Sequence, residues 1–173
     1  MIQKHFSLFI ILLLTGCATS PIDLSEIKSL PQGEGIVFGR VKVIEGRKEK
    51  NLSSVLGESQ FRVIILPDNS SKAIYVPLKD DGSFIWHLPE GSYTIASFEW
   101  RSHGTLEGRI FANYRVLKNK ATYIGTLAIS FSGTRYVTYV ADEYELSSVT
   151  FKHKFPDMQE EVIRYLMQME GRR

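Results

Sequence analysis

Few residues in this chain combine reactive side chains with a spacing that chemistry can use. Cys17 is the single cysteine among 173 residues. That excludes an intrachain disulfide, and it excludes a thiolate metal site, which needs several sulfurs at set intervals. A lone thiol is still a nucleophile. Here it follows Leu14-Thr15-Gly16, whose small last two residues leave the chain unhindered just before the sulfur. The histidines are His5, His87, His103 and His153, and none stands in an H-x-x-x-H pair. No metal site and no bound cofactor are therefore expected. No Gly-x-Ser-x-Gly elbow or phosphate-cradling glycine loop occurs, and the carboxylates are scattered. An enzyme would need a site assembled from distant residues such as Glu99 and His103. The leading expectation is that the chain is not an enzyme.

The residues around Cys17 have their own order. Lys4 and the amino terminus make a small basic region, and Phe6 to Leu14 is an almost unbroken apolar run. Nine residues suit a signal-peptide core and fall well short of the roughly 20 that cross a bilayer. Basic, apolar, small, cysteine: in that order, Leu14-Thr15-Gly16-Cys17 resembles the lipobox of bacterial lipoprotein signal peptides. The resemblance covers about the first 20 residues. It implies that residues 1–16 are a signal peptide that is removed. It further implies that Cys17 becomes a lipidated N-terminus, carrying a thioether lipid and an amide-linked acyl chain. The membrane is then a partner through lipid on Cys17, since two or three acyl chains hold a protein stably where one does not. Ala18, rather than aspartate, follows the cysteine; in lipoproteins of this kind that implies the outer membrane.

Residues 17–32 are polar and contain Pro21 and Pro31, which suits an extended tether. From residue 33 the hydrophobic period becomes two. Val37, Gly39, Val41 and Val43 alternate with Phe38, Arg40 and Lys42, predicting a strand from about Gly35 to Ile44. Phe61, Val63 and Ile65 predict a second, ended by Pro67-Asp68-Asn69. Ile74, Val76 and Leu78 predict a third, which Pro77 marks as an edge strand or a bulge.

The stretch Asp80 to Ile95 is the most informative. Asp81-Gly82 supplies a tight turn, Phe84, Trp86 and Leu88 share one strand face, and Pro89-Glu90-Gly91 turns the chain into Tyr93 and Ile95. This order resembles the transthyretin-like, or carboxypeptidase regulatory-like, β-sandwich family. There the pattern runs Asp-Gly-x-Phe and then Leu-Pro-x-Gly-x-Tyr. The resemblance is direct over about 16 residues and extends by strand order from Gly35 to Trp100. It implies a mainly β, Ig-like or prealbumin-like antiparallel sandwich, and little about activity. The chain departs from the simple module by continuing for some 75 residues.

In that continuation, Ile110 to Val116, Tyr123 to Phe131 and Tyr136 to Val140 predict a second meander. Tyr123, Gly125, Leu127, Ile129 and Phe131 are expected on one face. Asp142 and Glu145 fit a capping box for a helix from about Glu143 to His153. Met158, Val162, Tyr165, Leu166 and Met169 recur at helical spacing, predicting an amphipathic helix over 157–170. The expected layout is a sandwich domain over 33–141 and a C-terminal helical segment over 142–173.

Phe98 and Trp100 are the candidate ligand-binding residues. If Tyr93 and Ile95 face the core, strict alternation turns Phe98 and Trp100 outward. Either a β-bulge after Ile95 or cover from the C-terminal helix hides them, or they form a stacking platform for a glycan. The formal charge of +2 gives no reason to expect nucleic acid. The expected function is a non-enzymatic binding or accessory lipoprotein of the bacterial envelope, with a protein or glycan partner. The alternative is a carbohydrate- or peptidoglycan-binding lipoprotein that uses surface aromatics.

Overall fold

The computed structural model describes residues 33–52, 61–101, 105–156 and 162–170. The signal peptide, Cys17, Ala18, the tether over 17–32 and His103 lie outside these.

The described chain forms two sheets packed face to face, with one helix on the outside. Its elements are β1 (Glu34–Glu45), β2 (Lys48–Lys50), β3 (Phe61–Pro67), β4 (Ile74–Pro77), β5 (Ser83–Pro89), β6 (Gly91–Arg101), β7 (Thr105–Val116), β8 (Ala121–Ser132), β9 (Arg135–Ala141), α1 (Tyr144–Lys154), β10 (Ile163–Arg164) and β11 (Gln168–Met169). In the first sheet β1 lies between β8 on one side and β2 and β5 on the other, and β8 carries β9 and β10 on its far side. The second sheet runs β11-β7-β6-β3-β4. Most pairs are antiparallel, but β1 and β10 both run parallel to β8. The first sheet is therefore mixed, within the mainly antiparallel sandwich that the family resemblance implies. Hydrophobic period reports which face a residue takes; it carries no information on strand direction.

The inner faces supply the core. Val37, Val41 and Val43 of β1 and Leu127 and Ile129 of β8 oppose Phe61, Val63 and Ile65 of β3 and Ile95 and Phe98 of β6. Each large apolar side chain buried this way contributes about 1.5–3 kcal/mol. Phe84 stacks on Trp86 at 3.9 Å, and Tyr93 on Tyr114 at 5.6 Å. The Asp81-Gly82 turn forms as expected. Gly82 has φ +71°, and the Asp81 carboxylate accepts from both the Ser83 N–H and hydroxyl. Pro77 ends the edge strand β4.

A bulge reverses the facing of β8. The β1–β8 register shifts between Phe38 and Arg40, opposite Gly125, whose φ is +97°. Leu127, Ile129 and Phe131 therefore point into the inter-sheet core while Tyr123 points out of it. The single face expected for all of them is corrected accordingly. Tyr123 joins Ile36, Phe38 and Phe151 in a second cluster under α1. Phe38 and Phe151 stack at 4.3 Å with an interplanar angle of 12°.

The helix α1 begins one residue after the expected start, and its N-terminus is built differently. The residue flanking it is Glu143, and no side chain caps it. Asp142 Oδ1 accepts from the Tyr144 N–H at 3.2 Å, while Glu143 turns back to the sheet.

The expected helix over 157–170 is not formed where the chain is described. Residues 162–170 are extended. Tyr165 N–H donates to the Tyr123 carbonyl, Met167 N–H to the Ile124 carbonyl and Glu170 N–H to the Phe111 carbonyl, each at 2.9 Å. The segment crosses from the first sheet to the second along one side of the sandwich. Its buried residue is Met167, which the helical stripe had left out. These residues belong to the sandwich rather than to a separate C-terminal helical segment.

Candidate functional site

The aromatic pair Phe98 and Trp100 does not form an exposed platform. The β6 register shifts at Ala96 against both neighbours, β3 and β7. This bulge changes the facing parity, so Phe98 turns into the core. It is fully buried, 5.5 Å from Phe61 and edge-on to Tyr136 at 5.3 Å. Trp100 is partly buried and packs on Phe61 and Phe131, with ring centroids 6.3 and 6.0 Å away. Of the three readings of these residues, the bulge after Ile95 is the one the structure has.

The same bulge builds a site on the opposite surface. With Phe98 inward, Ser97 and Glu99 point outward from β6. They join Ile64 of β3, Tyr75 of β4, and Glu107, Arg109 and Phe111 of β7 around an open groove of about 470 Å³. Tyr75 is opposite Ile64, Ile64 is opposite Ser97, and Ser97 is opposite Arg109. One row across the four strands therefore reads aromatic, aliphatic, hydroxyl, guanidinium. The next row reads Arg62, Glu99, Glu107. Directly opposite carboxylates repel, and Arg62 offsets this from the other side. Its Nε donates to Glu99 Oε2 at 2.7 Å, and its Nη2 also bonds that oxygen. The Arg62 guanidinium lies 5.4 Å over the Tyr75 ring and covers one of its faces. Glu107 and Arg109 line the groove and make no side-chain ion pair or hydrogen bond among the described residues.

Two side chains of the groove are exposed aromatics, Tyr75 at 50% and Phe111 at 39%. Phe111 also has φ +59°, one of two non-glycine residues in the left-handed region among those described. For a bulky side chain that conformation costs about 1–2 kcal/mol, and such strain collects where a side chain must be aimed. Sequence reasoning missed both aromatics. The signal was available: each sits at the opposite parity from two core-facing neighbours, Tyr75 between Ile74 and Val76, Phe111 between Ile110 and Ala112.

Comparison with known proteins adds little to this geometry. No protein-family model matches the chain, and no curated protein matches it. Among solved structures it is similar to a leucine-rich repeat protein from Bacteroides thetaiotaomicron, with 16% identity and a TM-score of 0.37 over 60% of this chain and 15% of that one. It is also similar to a DUF3823 family protein from Parabacteroides merdae, with 17% identity and a TM-score of 0.35 over 60% of this chain and 54% of that one. The chain thus spans about half the length of the second and a small part of the first.

Other candidates sit elsewhere. His87 is buried, with 6% exposure. It lies on the outer face of the first sheet opposite Ile36, and neither ring nitrogen has a hydrogen-bond partner among the described residues. Burial holds its imidazole below the usual value, favouring the neutral ring. Among the described residues no group of three or more His, Cys, Asp or Glu is arranged to hold a metal ion. No described helix is long and apolar enough to cross a membrane.

Proposed function

We propose that the chain is a lipid-anchored, non-enzymatic binding module of the bacterial envelope, and that the groove on the second sheet is its ligand surface. The observation that carries the proposal is the groove itself. Two exposed aromatics flank it, one held in a strained conformation, around Glu107 and Arg109, whose side chains have no partner among the described residues. Binding sites are concave, partly apolar and supplied with a few placed polar groups. One of the two acidic groups, Glu99, is committed to Arg62, which suits a fixed binding surface better than a proton-transfer site.

The Leu14-Thr15-Gly16-Cys17 motif supports the anchor, and Ala18 supports the outer membrane. The Asp81-Gly82 turn and the β5–β6 hairpin support reading the sandwich as a transthyretin-like module, a class that serves for binding and assembly. Surface aromatics remain part of the proposal, but Tyr75 and Phe111 take the place of Phe98 and Trp100.

The test has two arms. Wild-type protein should incorporate labelled palmitate and fractionate with membranes, and Cys17→Ser should do neither. A photo-crosslinking residue at position 111 should capture an envelope component that the same residue at position 149, on the exposed side of α1, does not. Equal capture at both positions would remove the groove from the proposal.

A further inference from the structure

The groove has a chemistry that selects among ligand classes. We infer that it binds a neutral oligosaccharide, laid across the strands between Tyr75 and Phe111. This inference rests on the groove being the ligand surface.

Four features converge on that class. The first is the backbone around the groove. Its floor strands, β3 and β6, are hydrogen-bonded to neighbours on both sides, so an extended peptide lying over them finds no strand to pair with. The second is charge. Arg62 and Arg109 balance Glu99 and Glu107, which gives no net field for a polyanion or a polycation. The third is the placement of those charges. Glu107 and Arg109 line the groove, where an acyl chain or the apolar face of a helix would strand them without partners. The fourth is the pairing of aromatic walls with polar ends. A pyranose ring has an apolar face of C–H groups and a rim of hydroxyls. The exposed face of Tyr75 and the Phe111 ring match the first. The Glu107 carboxylate and the Arg109 guanidinium, neither with a side-chain partner among the described residues, and the Ser97 hydroxyl match the second, supplying acceptors and forked donors for neighbouring hydroxyls.

The dimensions favour more than one sugar. Tyr75 on β4 and Phe111 on β7 are three strand spacings apart across the sheet, about 14 Å at 4.7–4.9 Å each. Arg62 over one face of Tyr75 fixes that ring, so less side-chain freedom is lost on binding.

The experiment is calorimetric titration of the mature lipidated protein in detergent. The probes are linear oligomers of glucose and of N-acetylglucosamine, with a uronic-acid oligomer as the charged control. A neutral series should bind. Its affinity should rise from monomer to trimer and change little between low and high salt. Tyr75→Ala and Phe111→Ala should each weaken it about tenfold, as loss of one aromatic stacking surface implies. Arg109→Ala should weaken it too, while Val149→Ala on the far face should not. Near-UV circular dichroism of each variant establishes that the core is intact; Phe111→Asn, which tolerates the left-handed backbone, replaces Phe111→Ala if that variant is unfolded. Binding of the uronic-acid oligomer alone, collapsing with salt, would overturn the neutral class. So would failure of every oligomer while crosslinking at position 111 still captures a component; in that case the groove stands as a site and the sugar does not. Neutral binding indifferent to all three groove variants would overturn the groove as well.

Discussion

Lys42 of β1 and Glu143 at the start of α1 meet at 2.5 Å, Nζ donating to Oε1, although 101 residues separate them in the chain. The other carboxylate oxygen accepts from the Thr126 hydroxyl at 3.1 Å, and the Glu143 N–H donates to the Tyr123 hydroxyl at 2.7 Å. One residue thus ties α1 to both β1 and β8. This explains why Glu143 gives no side chain to capping its own helix. Replacing it by alanine takes the short ion pair from the partly buried Lys42 and leaves it only the longer contact to Glu49, at 3.8 Å. Glu143→Ala should cost on the order of 1–3 kcal/mol, read as a lower denaturation midpoint. Glu145→Ala, in the first turn of the same helix, should change little.

Stability should fall on the acid side in two stages. Burial holds the folded His87 below its ordinary 6.5, so below about pH 6.5 the unfolded chain takes up a proton that the folded one resists. At Glu143 burial pushes the carboxyl up, but bonds from Lys42 and Thr126 and the charges of Lys42 and Arg40 outweigh it, leaving it below its ordinary 4.5. Asp81 is likewise lowered from 3.8: burial raises it, and bonds from Ser83 with the charges of Arg40 and Lys79 prevail. Both groups contribute stability that is complete above their ordinary values and is lost as pH falls through the folded ones. Urea titrations from pH 8 to pH 3 should show both stages. His87→Leu should remove the first, and should gain about 1 kcal/mol at pH 5.5 because two unpartnered ring nitrogens leave the interior.

Phe98 and Phe111 should behave as opposites. Phe98→Ala empties a fully buried site and should cost about 3–5 kcal/mol. Phe111→Asn relieves a left-handed phenylalanine, at 39% exposure, and should leave stability within about 1 kcal/mol of wild type. A thermal melt of each separates core from groove without any ligand.

Gly39→Ala should be among the most damaging small substitutions. An added Cβ would collide with the Gly125 carbonyl oxygen, which is backbone and cannot swing aside, and would press within 2.8 Å of the Phe84 ring. The expected loss is about 1–3 kcal/mol or more. Gly46→Ala, in an open turn, provides the comparison. Its φ of +63° strains any side chain, but nothing lies within 4 Å of the added Cβ.

Much of the fold was legible because burial on one face writes itself into a strand at period two. Val37, Val41 and Val43, and likewise Phe61, Val63 and Ile65, read correctly, as did Pro77 as an edge and the helix α1. Two bulges broke the reading. At Ala96 and beside Gly125 one extra residue reverses facing, and a pattern counted through the bulge assigns every later residue wrongly. This displaced Tyr123 and left Phe98 undecided. The C-terminal segment failed for another reason. Met158, Val162, Tyr165, Leu166 and Met169 fit a helical stripe, but short strands that follow two sheet edges place no lasting period on nine residues. The groove was illegible as a site because its lining is spread over four strands, one residue each from β3 and β4 and several each from β6 and β7. Nothing local in the sequence says that Tyr75 and Arg109 share a row.

The first strand of the domain finds its long partners late. β1 ends at Glu45, whereas β5 begins at Ser83 and β8 at Ala121. Closing the chain over those separations is slow, because the entropy is lost before the contacts form. Until β8 has emerged, Val37, Val41 and Val43 have no neighbour on one side and the sandwich cannot shut. For the exported chain proposed above, that delay keeps the polypeptide threadable. For a channel that passes unfolded chain, this connectivity would postpone commitment to a folded body until β8, ending at Ser132, is available.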